Sequence, residues 1–235
     1  MRAKEIYDIL IAGGLTPAGA KGLIGNMMGE ATPELIPNIV ERGRTGLSDT
    51  EYTMLADSGQ IPFAGDAIGY GLCQWTFRTR KQGLLDYARS MGTSVGDGVM
   101  QCYYALVELK TGPEFANCYK VLRTSDNIDE CSDVVCREFE RPSVCNYETR
   151  RAYAHKAARE IEAELANNGK DTNVPTTPAS SPAPVTVYNQ QRDVILLQLA
   201  MQEDGAWDKP IDGLATAEWY EAFREYTKAV LGGKI

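Results

Sequence analysis

From Asn167 the chain reads NNGKDTNVPTTPASSPAPVT, a stretch poor in bulky apolar residues and rich in proline, serine and threonine. Such a segment buries too little surface to offset the entropy of ordering it, and its prolines favour extended conformations. It reads as a linker, which forbids one continuous core across the 235 residues. Three parts follow: residues 1–167, long enough for a domain with its own core; the linker 168–187; and residues 188–235, close to the lower limit for independent folding.

The net charge of −8 would repel a phosphate backbone, so nucleic acid is excluded as a partner. No apolar run approaches the roughly 18 to 20 residues that span a bilayer, which excludes membrane insertion. The opening MRAKEIYDIL, charged at positions 2, 4, 5 and 8, reads as no signal peptide. Six cysteines, at 73, 102, 118, 131, 136 and 145, are too sparse for a disulfide scaffold and contain no CxxC pair. Buried, reduced thiols are the expectation, in keeping with synthesis in a cytoplasm. With His155 the single histidine, the spacings offer no chelating pair, so neither metal nor cofactor is implied. His155 itself reads as a surface or packing residue of a charged helix. Composition sets no oligomeric state.

The large region reads as mainly α. A helix over Ala3–Ala12 stops at Gly13-Gly14; Thr16-Pro17 then supplies an N-cap and a first-turn proline, with Leu23, Ile24, Met27, Met28 and Ala31 on one apolar stripe. Further helices are predicted at about 78–91, 97–110, 113–123, 127–139 and 146–166. Between Pro33 and Trp75, glycines at 43, 46, 59, 65, 69 and 71 break the pattern. A long irregular segment inside a compact domain is usually functional.

Glu30 ends the Thr16 helix behind an apolar stripe, a placement that raises a carboxyl pKa and suits a general acid. A solvated helix-end glutamate is the plainer reading of that segment alone. The block Gly69-Tyr-Gly-Leu-Cys-Gln-Trp-Thr76 strengthens the first, because its glycines admit a ligand while Tyr70, Gln74 and Trp75 offer stacking surface and an amide, as sugar grooves do.

Glu30-Ala-Thr-Pro33 followed by Gly71-Leu-Cys-Gln74 resembles goose-type lysozymes and lytic transglycosylases. The longer series is closer to the phage tail-type lysozyme family: Gly25-Asn26, Pro37-Asn38, Glu51-Tyr52-Thr53, the Gly69–Thr76 block, Arg80-Lys81 and Phe139-Glu140-Arg141-Pro142, in this order across residues 5–160. Ala31 departs from the serine usual after the glutamate, and Cys73 from a methionine or small residue.

The resemblance implies a lysozyme-like helical catalytic domain with a long irregular active-site loop, followed by a small helical C-terminal module. The implied activity is that of a phage endolysin, made in the host cytoplasm and cleaving the glycan strand of bacterial peptidoglycan in the wall. Glu30 would be the general acid, with Asn26, Tyr70, Gly71, Gln74 and Trp75 binding substrate. The second carboxylate lies among Glu41, Asp49, Glu51, Asp57 and Asp66. Asp66, five residues before Gly71, is the first choice to position water, and a turn-capping aspartate is the equal alternative. Without a second carboxylate the substrate could close on itself, making the enzyme a lytic transglycosylase; a non-catalytic wall-binding protein is the other class. Glu140-Arg141 could line the groove, although a salt-bridged corner ending a helix is favoured. In the tail, Val194, Leu197 and Met201 and then Trp219, Phe223 and Tyr226 fall at helical spacing, similar to small wall-binding modules or a plain helical hairpin.

Overall fold

The computed structural model describes residues 1–168. Its α-helices are α1 (Ala3–Ala12), α2 (Pro17–Glu30), α3 (Asp49–Asp57), α4 (Arg78–Ser90), α5 (Gly98–Thr111), α6 (Ala116–Thr124), α7 (Ile128–Val134) and α8 (Tyr147–Asn168). No strand is present among the described residues; β structure there is one antiparallel bridge, Val40 with Tyr70. The predicted C-terminal module and nearly all of the linker lie outside the described residues.

Helix α2 is the axis of the domain. Thr16 caps it as expected, its hydroxyl oxygen accepting from the Gly19 N–H at 2.9 Å, with Pro17 in the first turn. The same hydroxyl donates to the Ser125 carbonyl at 2.7 Å, so the cap also pins the chain end of α6. From Ala18 to Met28 only Lys21 escapes burial, and α1, α6, α7 and α8 all pack on this helix. The single apolar stripe expected there is therefore too narrow a description, since a helix apolar all round belongs inside a core. Its small residues set the packing distance. A Cβ on Gly25 would lie 2.5 Å from the Ala154 amide nitrogen, so α2 and α8 cross with their backbones nearly touching.

Helix α3 stands inside the segment expected to be irregular. Ser48 and Glu51 form a capping box, the hydroxyl accepting from the Glu51 N–H and the carboxylate from the Ser48 N–H. The predicted helix at 113–123 begins as a 3-10 turn, Pro113–Phe115, before α6. That at 127–139 is α7 followed by a π-helical turn, Val135–Glu140. This turn closes with the Arg141 N–H donating five residues back to the Cys136 carbonyl at 3.0 Å, and Arg141 takes the left-handed conformation, φ 53°. Five cysteines are buried free thiols and Cys145 is a half-buried one, as the sequence implied.

Candidate active site

A cavity of about 480 Å³ opens where the end of α2, the Gly69–Thr76 block, the start of α4 and the π-helical turn meet; its walls include Glu30, Glu41, Gln74, Phe77, Arg80 and Glu140. Glu30, the last residue of α2, is hydrogen-bonded and ion-paired to Arg150 of α8. Arg150 is in turn aimed by Asn26, whose Oδ1 accepts from it at 3.1 Å. Asn26 is held by donating to the carbonyls of Ser132 at 2.9 Å and Gly22 at 3.0 Å. Asn26 is fully buried, so the structure places it behind the cavity as the residue that orients the arginine.

The Gly69–Thr76 block is a folded turn rather than an open strip. Gly71 has φ +77°, and a Cβ there would meet Gln101 Oε1 at 2.7 Å, the atom that accepts from the Leu72 N–H at 2.9 Å. The turn directs Tyr70 and Trp75 inward. Both are 0% exposed; the Tyr70 hydroxyl is hydrogen-bonded to Thr53 at 2.7 Å, and the Trp75 indole donates to Glu108 at 2.7 Å. The stacking surface expected from these two rings is thus spent on the core, and Gly71 serves the turn. Gln74 does reach the cavity, with φ 43° and its amide donating to the Gly71 carbonyl at 3.0 Å. The aromatic at the cavity is Phe77, 64% exposed, two residues beyond the tryptophan. Its position beside the Gly69–Thr76 block is the signal the sequence offers for it.

Asp66 does not line this cavity. It accepts from the Lys81 ammonium, the Tyr52 hydroxyl and the Ile68 N–H, and Lys81 is wholly enclosed. The plainer reading, an aspartate that holds a turn, is the one its surroundings support. Asp49 accepts from the Val40 N–H, Asp57 from the Val95 N–H, and Glu51 belongs to its capping box. Of the five loop carboxylates, Glu41 alone lines the cavity; it accepts from the Gly69 N–H at 3.0 Å and is ion-paired to Arg44 at 3.8 Å.

Glu140 also departs from the reading favoured for it. Arg141 turns away to donate to the Glu138 carbonyl at 2.7 Å, so the salt-bridged corner does not form. Glu140 instead lines the cavity, its Oε1 buried with no hydrogen-bond partner. Burial first, and the charge of Glu30 second, hold its carboxyl well above the usual glutamate range. The nearby Arg80 is engaged elsewhere, with two 2.8 Å bonds to Glu108 and one of 3.0 Å to the Phe139 carbonyl. The cavity thus presents two carboxylates each with a cation, Glu30 with Arg150 and Glu41 with Arg44, and one carboxyl without, beside an exposed aromatic ring. Such a set can give and take a proton at a bound polymer.

A search of curated proteins returned no match. The model of one protein family, described as phage tail lysozyme, matches residues 1–161, which span every element from α1 to the middle of α8 and all of the cavity. The chain belongs to the phage tail lysozyme family.

Proposed function

We propose that this cavity cleaves the glycan strand of bacterial peptidoglycan by muramidase-type glycoside hydrolysis, with Glu30 as the general acid. Family membership supports a peptidoglycan-lytic, lysozyme-like activity. The observation that carries the finer reading is the placement of Glu30 on the cavity wall beside a second carboxyl, since glycosidic cleavage needs one group to protonate the leaving oxygen and another to meet the charge at the anomeric carbon. In this reading the protein is a phage endolysin, made in the host cytoplasm and acting on the wall. Its residues 188–235 would be a tethered wall-binding module, which raises local concentration on an insoluble polymer.

The test is Glu30→Gln, which keeps the side chain's shape but cannot exchange a proton. The variant should release no new sugar ends from purified peptidoglycan, read by mass spectrometry, while its circular dichroism matches the wild type. A folded variant with undiminished release would refute the assignment. The same spectra separate hydrolysis from the lytic transglycosylase alternative, because reducing ends mark the first and anhydro ends the second. The engagement of Asp66 with Lys81 is what favours keeping that alternative in view.

A further inference from the structure

A second recess, of about 190 Å³, adjoins the cavity. Phe77, Arg80, Glu140 and Arg141 line both, and Glu114 and Phe115 stand among the walls of the recess alone. Its two cations differ in what holds them. Arg80 is spent on Glu108 and the Phe139 carbonyl. Arg141 is exposed, and its Nε–H donates to the Glu138 carbonyl at 2.7 Å while Nη2 reaches the Glu114 carbonyl at 3.4 Å. Its guanidinium carbon lies 5.1 Å from the centre of the Phe115 ring. Two neutral carbonyls and a ring therefore orient the group without supplying a counter-charge. The Glu138 carboxylate is taken by Asn117 and Arg137, and no ion pair joins the side chains of Glu114 and Arg141. Burial holds the Glu140 carboxyl protonated to higher pH than an ordinary glutamate, which spares an anionic ligand its repulsion.

Nη1 and the second N–H of Nη2 are thus left as a fork with no partner among the described residues. A carboxylate fits such a fork in two parallel hydrogen bonds, and because the plane is already fixed, little side-chain freedom is lost on binding. Peptidoglycan differs from other strands of linked amino sugars in the peptide stems that hang from its lactyl groups, and those stems carry carboxylates. A recess that shares walls with the cavity lies within reach of a substituent on the strand held there. We propose that Arg141 is a specificity-determining residue, binding a carboxylate of the peptide stem in this recess while the glycan strand occupies the cavity. This rests on the glycan-cleavage reading above.

The experiment compares soluble glycan strands whose stems carry free carboxylates with the same strands after chemical amidation, using the full-length protein and sugar-end release. Amidation should lower kcat/KM of the wild type about tenfold, the scale of a charge-assisted pair at an accessible site. In Arg141→Gln the ratio between the two strands should fall to about one, and Arg141→Lys, which keeps the charge but not the fork, should show a preference between these limits. A wild type that cleaves both strands equally overturns the proposal, whether or not the variants fold. So does an Arg141→Gln that keeps the tenfold preference, since another cation would then hold the carboxylate. Release of sugar ends from neither strand would overturn the glycan reading instead. Calorimetric binding of the two strands would still judge Arg141 by the same ratios.

Discussion

Lys81 is enclosed on every side, and its ammonium is satisfied by Asp66, by the Tyr52 hydroxyl at 2.8 Å and by the Ile68 carbonyl at 2.6 Å. Removing one partner of such a pair leaves a buried charge uncompensated, at a cost of about 3 kcal/mol. Asp66→Ala should therefore lower the melting temperature by many degrees, while the folded fraction retains its specific activity. A stable variant that has lost turnover would return Asp66 to the chemistry. Glu140 should behave in the opposite way. Its folded carboxyl holds a proton to higher pH than the ordinary value of 4.5 that the unfolded chain approaches, so above that pH the native state binds more protons and stability falls as pH rises. Glu140→Gln lacks this loss. The melting temperature of the variant minus that of the wild type should be flat below pH 4.5 and grow towards neutral pH; a constant difference would refute the burial argument.

Helices α2 and α8 meet at Gly25, and the crossing is what carries Arg150 to Glu30. Gly25→Ala forces the two backbones apart and should cost roughly 1 to 3 kcal/mol as an overpacking change. Because Arg150 moves with α8, cleavage should fall in the folded variant as well, and kinetics below the melting transition will show whether it does. At the other wall Phe77 precedes α4 and is free to move without disturbing the core. Phe77→Ala should leave the melting temperature in place and raise KM for glycan fragments roughly fivefold, the loss of about 1 kcal/mol of stacking. An unchanged KM would remove Phe77 from the binding surface.

At the scale of the whole molecule, every cavity residue lies in 1–168, and the proposed wall-binding segment lies beyond the linker. A fragment ending at residue 168 should cleave soluble glycan fragments at the full-length rate and intact walls more slowly, because the tether no longer holds it on the polymer. Retention of the 188–235 segment on purified walls is the companion measurement. No retention, with equal lysis by fragment and full chain, would make the tail a structural element only.

Every α-helix of residues 1–168 except α3 was legible in the sequence, because caps, prolines and apolar spacing are local and act within a turn or two. The Ser48 and Glu51 capping box was equally local and would have disclosed α3, had the surrounding glycines not masked it. What the tertiary structure alone decided is which polar and aromatic groups face the cavity. Tyr70 and Trp75 carry the composition of a sugar groove, yet the turn forced by Gly71 and Gln74 sends both inward to Thr53 and Glu108, partners 17 and 33 residues away. Asp66 and Glu140 are both carboxyls in motif-like surroundings. Lys81 claims one, while the other keeps a buried oxygen without a hydrogen-bond partner, and a side chain's partners across 15 or more residues are set by packing that no local pattern records.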